Sequence, residues 1–222
     1  MGFQSLNLDF SKHLTIQPSE NDWSPSNAPG VERQRLEREH AESGWTTSIV
    51  RYAPNSFFPS HSHPGGEEFL VLEGTFSDQT GDFPAMTYVR NPIGSGHKPF
   101  TIGGCRIFVK LCQMQPEEQG QTVIRFDDSP WEPDTQDTRK VKRLFENPHE
   151  RVWIEAWQPG TRSQISPTAG RLEVLILEGE WRYQNRNLET ETWMRIPAGG
   201  TATLDCPNGG KIWCKQFLAS ND

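Results

Sequence analysis

The chain has 222 residues, only 33% of them apolar, a net charge of -7 and a mean hydropathy of -0.71, so it has room for one large domain or two small ones. Net negative charge without a Lys/Arg cluster interleaved with aromatics opposes a phosphate backbone, so no direct nucleic-acid partner is expected. No stretch approaches membrane-spanning length and residues 1–20 lack the basic start and apolar centre of a signal peptide, so we expect no membrane partner, a cytoplasmic location, and reduced thiols at Cys105, Cys112, Cys206 and Cys214.

Eight Trp and twelve Phe offset the thin apolar content, since large aromatics bury as much area as many aliphatics. Seventeen Pro and nineteen Gly punctuate short apolar runs, a pattern that predicts many strands and an all-β fold. In chain order, residues 21–30 read as a loop. Residues 31–40 have helix-favouring Glu, Arg and Gln but no apolar stripe, and are read as an edge strand. The β-branched run from Thr46 to Tyr52 predicts a strand leading into residues 61–74, His-Ser-His-Pro-Gly-Gly-Glu-Glu-Phe-Leu-Val-Leu-Glu-Gly. On an extended segment His61 and His63 leave the same face. Pro64-Gly65-Gly66 then turns the chain, and Glu67 opens an apolar run that ends at Gly74. Thr87 to Arg90 is a further strand. Pro92-Ile-Gly-Ser-Gly-His97 brings His97 out of a second turn, and Arg106 to Leu111 is the next strand.

Three imidazoles and a carboxylate at two turns suit a first-row divalent ion, whereas His13, His40 and His149 show no grouping. Glu68 should face away from Glu67. Cys105 is read as a small buried residue after a turn, with a redox-responsive thiol as the alternative.

A shift of 105 residues, without a gap, lays Pro54 on Pro159, Glu68 on Glu173, Leu72-Glu73-Gly74 on Leu177-Glu178-Gly179, Arg90 on Arg195, and Lys110 on Lys215. Trp23-Ser-Pro25 parallels Trp131-Glu-Pro133 at a slightly different offset. The chain therefore reads as two copies of one fold, a metal-binding domain over 1–125 and a degenerate domain over 126–222. The second copy has Ser166, Thr168, Leu172 and Ala202 at the four ligand positions, a set that cannot hold a transition metal. Its Trp153, Trp157, Trp181, Trp193 and Trp213 are read as core or interface rather than as a ligand pocket. Arg90 and Arg195, repeated in both copies, are read as structural.

The spacing of His61, His63, Glu67 and Gly74, followed by Pro92, Gly94 and His97, resembles the two cupin motifs. The wording HSHPGGEEFLVLEGTFSDQTGDFP, RNPIGSGHKPF and GGCRIFVKL is similar to the ChrR-like cupins. One departure is Thr101, which stands where an asparagine often closes the second motif. The resemblance implies two tandem cupin barrels of double-stranded β-helix, jelly-roll type. It also implies His61, His63, Glu67 and His97 as ligands of one divalent metal, zinc first with iron, manganese or nickel as alternatives. Cupins commonly pair, which implies packing between the two barrels in the chain or a homodimer. The implied function is regulatory sensing in an anti-sigma-factor pathway, with a small-molecule ligand or a sigma-factor pathway partner. That family's inhibitory activity resides in a separate His-x-x-x-Cys-x-x-Cys zinc domain, a pattern this sequence does not contain. The alternative is a non-haem metal-dependent cupin dioxygenase acting on a small molecule.

Overall fold

The computed structural model describes residues 4–41, 43–128, 130–134 and 138–218. Among these the regular structure is strand, interrupted by two single-turn 3-10 segments, Pro18–Glu20 and Phe126–Asp128. No helix is long and apolar enough to cross a membrane. The chain divides into two compact units, Met1–Leu8 with Asp22–Asp128, and Asp9–Asn21 with Ser129–Asp222. The segment around Leu14–Ile16 belongs to the second unit because it hydrogen-bonds antiparallel to Trp193–Ile196, so the chain does not part into halves in simple sequence order.

In the first unit a large antiparallel sheet runs Thr122–Ile124, Tyr88–Asn91, Glu67–Asp78, Cys105–Leu111, Thr46–Tyr52, Val31–Arg38 and Ser24–Pro25, with Gly81–Pro84 paired to the far part of Glu67–Asp78. Facing it is a two-stranded ribbon, His61–Ser62 with Gly96–His97. Phe69, Val71, Phe76, Phe83, Val89, Ile107 and Val109 make the core beneath the large sheet. The second unit repeats the plan, with a seven-stranded sheet and a four-stranded one. Both are two-sheet sandwiches of jelly-roll type, and their sheets stay open at the edges instead of closing into hydrogen-bonded barrels.

The strands expected at 46–52, 87–90 and 106–111 form, the last two shifted or extended by one residue. Residues 31–38 are a strand whose outer neighbour pairs only at Ser24 and Pro25, so most of that side is left as an edge. That short pairing lies inside the stretch read as loop. Its counterpart Glu132–Pro133 pairs with Arg139–Glu146 in the same way, which accounts for the two Trp-x-Pro segments.

The strand that opens at Glu67 does not end at Gly74. It continues to Asp78 through a bulge opposite Arg106 and Ile107. Gly74 has φ +71°, and a Cβ there would lie 2.1 Å from the Gly104 carbonyl oxygen. The second unit carries the same bulge, with Gly179 at φ +98° and Gly209 oxygen 2.4 Å from the Cβ position. Glycine is thus needed twice, at equivalent places, for backbone conformation and for close approach.

Candidate metal centre

Two turns are fastened together before any side chain is considered. The His63 amide donates to Ser95 O at 2.8 Å, and His63 O accepts from Gly66 N at 3.2 Å and Gly94 N at 2.9 Å. The ribbon pairs His61 with His97, and the Glu67–Asp78 strand starts one turn later. The result is that the ligand-type atoms of His61, His63, Glu67 and His97 all lie within 4.8 Å of one another. The three imidazole centroids are 4.7 to 5.0 Å apart, each pair edge to face.

Each ring is oriented by its Nδ1, which leaves Nε2 for the centre. His97 Nδ1 meets Asp78 Oδ2 at 3.0 Å, His63 Nδ1 meets Ser95 Oγ at 3.1 Å, and His61 Nδ1 meets Pro59 O at 2.9 Å. Asp78 is itself held, its Oδ1 accepting from Thr80 N at 2.7 Å and Thr80 Oγ1 at 2.6 Å. Glu67 Oε2 accepts from Asn91 Nδ2 at 2.9 Å, and Asn91 is fixed in turn by Gln121 at 2.8 Å.

Whether these residues fit a metal ion is decided by the inward atoms. His63 Nε2 and His97 Nε2 are buried and have no hydrogen-bond partner. They stand 3.6 and 3.5 Å from Glu67 Oε2, too far for a hydrogen bond. Two donors each about 2.1 Å from one ion are about 3.4 Å apart at a tetrahedral angle. Buried polar atoms without partners are costly, and this spacing is the one a shared ion would relieve. The donor set therefore fits a divalent transition metal. Burial pulls the His63 imidazole below its ordinary pKa, the His97 and His61 rings add to this, and Glu67 and Asp78 oppose it. Burial acts downward on His97 too, but the hydrogen bond to Asp78 and the charges of Glu67 and Asp78 outweigh it and hold that ring above its ordinary value.

The cluster opens onto a cavity of about 550 Å³ walled by Val31, Val50, Phe58, Phe76, Ile107 and Val109. Glu68 does point away from the centre: its Oε2 accepts from Arg90 Nη1 at 2.9 Å, and Arg90 also holds Glu118 through two nitrogens at 2.9 and 2.7 Å. Arg90 is a scaffold cation, as read. Thr101 is buried and donates to Thr75 O at 2.8 Å, outside the ligand set. Cys105 lies in the core, and burial pushes its thiol up to about 11 against an opposing hydrogen bond from Thr101, which makes it a poor redox sensor. The sequence reading missed Asp78, Asn91 and Ser95. Gly74 was the available signal, because a glycine inside a strand pattern marks a bulge and so a continuing strand.

In the second unit Leu172 and Ala202 are buried in the hydrophobic core, while Ser166 and Thr168 are exposed. Among the described residues the first-unit cluster is the one group able to hold a metal ion. Trp157, Trp181, Trp193 and Trp213 are buried and Trp153 packs against the core, in keeping with the packing role read for them.

No curated protein matches the sequence. Among solved structures the fold is similar to that of a candidate dioxygenase from Nostoc punctiforme, at TM-score 0.75 and 15% identity over 96% of this chain and 85% of that one. It is similar to a candidate glyoxylate-induced protein from Pseudomonas aeruginosa, at TM-score 0.73 and 16% identity over 98% and 91%. A bacterial pirin from Escherichia coli in complex with nickel(II) aligns at TM-score 0.70 and 12% identity over 94% and 100%. These likenesses establish the cupin fold. The family model described as the ChrR cupin-like domain matches residues 11–115. Over that span, which contains His61, His63, Glu67 and His97, the chain is similar to the ChrR-like cupins.

Proposed function

We propose that this chain is a metal-dependent cupin that acts on a small organic molecule by non-haem dioxygenase-type chemistry. One observation carries the reading: the four ligand-type side chains line a cavity of about 550 Å³ instead of being sealed in packed protein. Small-molecule sites span about 300–1,000 Å³, and a purely structural metal site is closed. An iron or manganese ion held there would supply coordination positions for substrate and oxygen. The rest is the work of the chain's own residues. His61, His63, Glu67 and His97 hold the ion, and Asp78 and Ser95 keep the His97 and His63 rings turned toward it. Val31, Val50, Phe76, Ile107 and Val109 form a wall that displaces water from the substrate's body.

A second reading is supported by the family match. ChrR-like cupins suggest a sensing role, in which a zinc-bound cavity binds a small molecule and reports it to a regulatory partner. The metal separates the two. Protein purified without added metal is analysed for metal content, and the coordination number is taken from an absorption-edge spectrum. Five- or six-coordinate iron or manganese, with oxygen uptake in the presence of a small-molecule panel, supports the oxygenase. Four-coordinate zinc without an open position overturns it.

A further inference from the structure

Among the described residues that line the first-unit cavity, three carry a buried polar atom with no hydrogen-bond partner: His63 Nε2, His97 Nε2 and Ser48 Oγ. A metal ion accounts for the two imidazoles and leaves the serine, which is only 1% exposed. Ser48, Val50 and Tyr52 alternate along the Thr46–Tyr52 strand, so they leave the same face, and all three line the cavity. The Tyr52 ring stands edge to face against Phe76 at 5.7 Å, and its hydroxyl makes no hydrogen bond to any described residue. Burial, helped by the Glu67 carboxylate and the Cys105 thiol and opposed by Arg33, holds this phenol above its ordinary pKa, so it is a neutral donor.

The second unit meets the same need within the chain. Strand pairing fixes the equivalence: Ser48, Val50 and Tyr52 lie opposite Val109, Ile107 and Cys105, as Trp153, Glu155 and Trp157 lie opposite Cys214, Ile212 and Gly210. There Trp153 Nε1 donates to Glu155 Oε1 at 2.8 Å and Trp157 Nε1 donates to Glu155 Oε2 at 2.7 Å, so the carboxylate in the middle of the row satisfies a donor on each side. In the first unit donors again stand at both flanking positions, but the middle residue is Val50, whose side chain accepts nothing. The acceptor that one copy supplies itself is missing from the other, where the row faces an open cavity.

The wall also limits the charge of what binds there. The Arg33 guanidinium carbon lies 5.7 Å from the Phe58 ring centroid and the residue is engaged within the protein. Arg38 donates to His40 O, Thr46 Oγ1 and Ala41 O. Neither arginine is left to neutralise an anion at the row, and burying an unpaired charge costs far more than burying a hydroxyl.

We propose that Ser48 and Tyr52 form the polar end of the ligand site, where they hydrogen-bond the oxygen of a small uncharged hydroxyarene whose ring packs on Val50, Phe76 and Ile107. This deepens the preceding reading and rests on its cavity. A phenolic hydroxyl both donates and accepts, as the serine and tyrosine hydroxyls do, and an aromatic ring suits a wall of aliphatic and aromatic side chains.

The test is calorimetric titration of the full chain, with and without zinc, using phenol and its methyl isostere toluene. The Ser48→Ala/Tyr52→Phe double variant should weaken phenol by about 10-fold and leave toluene no weaker. Because the two hydroxyls satisfy nothing in the fold, this variant should unfold in urea at or above the wild-type midpoint. Trp153→Phe, which removes a donor from Glu155, should unfold at a lower one. No phenol binding by wild type up to about 10 mM, phenol binding by the double variant equal to wild type, or a double variant as destabilised as Trp153→Phe would each overturn the proposal. Metal content read on the same samples keeps the two readings apart: a chain that takes up no metal, yet shows the loss of phenol binding in the double variant, would overturn the metal centre alone.

Discussion

Asp78→Asn isolates what orientation contributes to the metal centre. Asp78 Oδ1 takes two hydrogen bonds from Thr80, so an asparagine would keep its carbonyl there and turn its NH2 toward His97 Nδ1. Two donors would then face each other at the 3.0 Å separation that now joins Asp78 to His97. The ring escapes this by moving its proton to Nε2, the atom needed for the metal. The Asp78 carboxyl is well set as an anion: burial pushes it up, but the hydrogen bonds from His97 and Thr80 outweigh burial and bring it below the usual range. Loss of such an orienting carboxylate costs about 10–100-fold in metal affinity, or about 1.4–2.7 kcal/mol. Competition against a chromophoric chelator measures this, with His97→Ala as the reference for loss of the ligand itself. An Asp78→Asn protein that binds metal like wild type, beside a His97→Ala protein that does not, would refute the reasoning.

Gly74→Ala and Gly179→Ala should each destabilise the chain by more than ~2 kcal/mol, because each combines a left-handed backbone with a Cβ pressed on a carbonyl oxygen 2.1 or 2.4 Å away. Denaturant unfolding checks this, and a loss below ~0.5 kcal/mol would mean that the bulge tolerates a side chain. Cys105 should resist alkylation in the folded chain at about pH 8, where a thiol pushed up to about 11 is about one part in a thousand thiolate; peptide mapping should find label first at the half-buried Cys112. Since the folded Cys105 pKa is raised, its stability contribution is intact below the unfolded value of about 8.5 and is lost as pH rises toward about 11. Metal analysis should give one transition metal per chain, and two, each at the centre of a unit, would overturn the reading of the second unit.

The cluster of four ligand-type residues was legible because the sequence writes them as local patterns. His61 and His63 alternate along a strand, Glu67 follows a glycine turn, and His97 follows another, so four side chains converge through two short motifs. Asp78 was not legible for a geometric reason. Before the bulge the odd-numbered residues Phe69 and Val71 face the core, and after it the even-numbered Phe76 does. A one-residue slip changes face, so Asp78 comes into line with the site only when the strand is known to continue past Gly74. The pairing of Leu14–Ile16 with Trp193–Ile196 is equally invisible locally, since the partners lie far apart in sequence and nothing in Leu-Thr-Ile names a partner.

The repeat explains how one fold can keep its stability while giving up its chemistry. Tyr52 and Phe76 stand edge to face at 5.7 Å on the wall of the first-unit cavity. At the corresponding positions the second unit has Trp157 and Trp181, edge to face at 5.0 Å within a core that also takes in Leu172 and Ala202. Two indoles, a leucine and an alanine stand in that core at the positions that in the first unit are Tyr52, Phe76, Glu67 and His97, all of which line the cavity. Burying such side chains is favourable by about 25 cal/mol per Å², whereas two inward Nε2 atoms without partners carry a cost that a bound ion would remove. The glycine bulge and the Glu, Arg and Lys of the scaffold are required by both solutions and are found in both. His61, His63, Glu67 and His97 are found in one, where they line the open cavity.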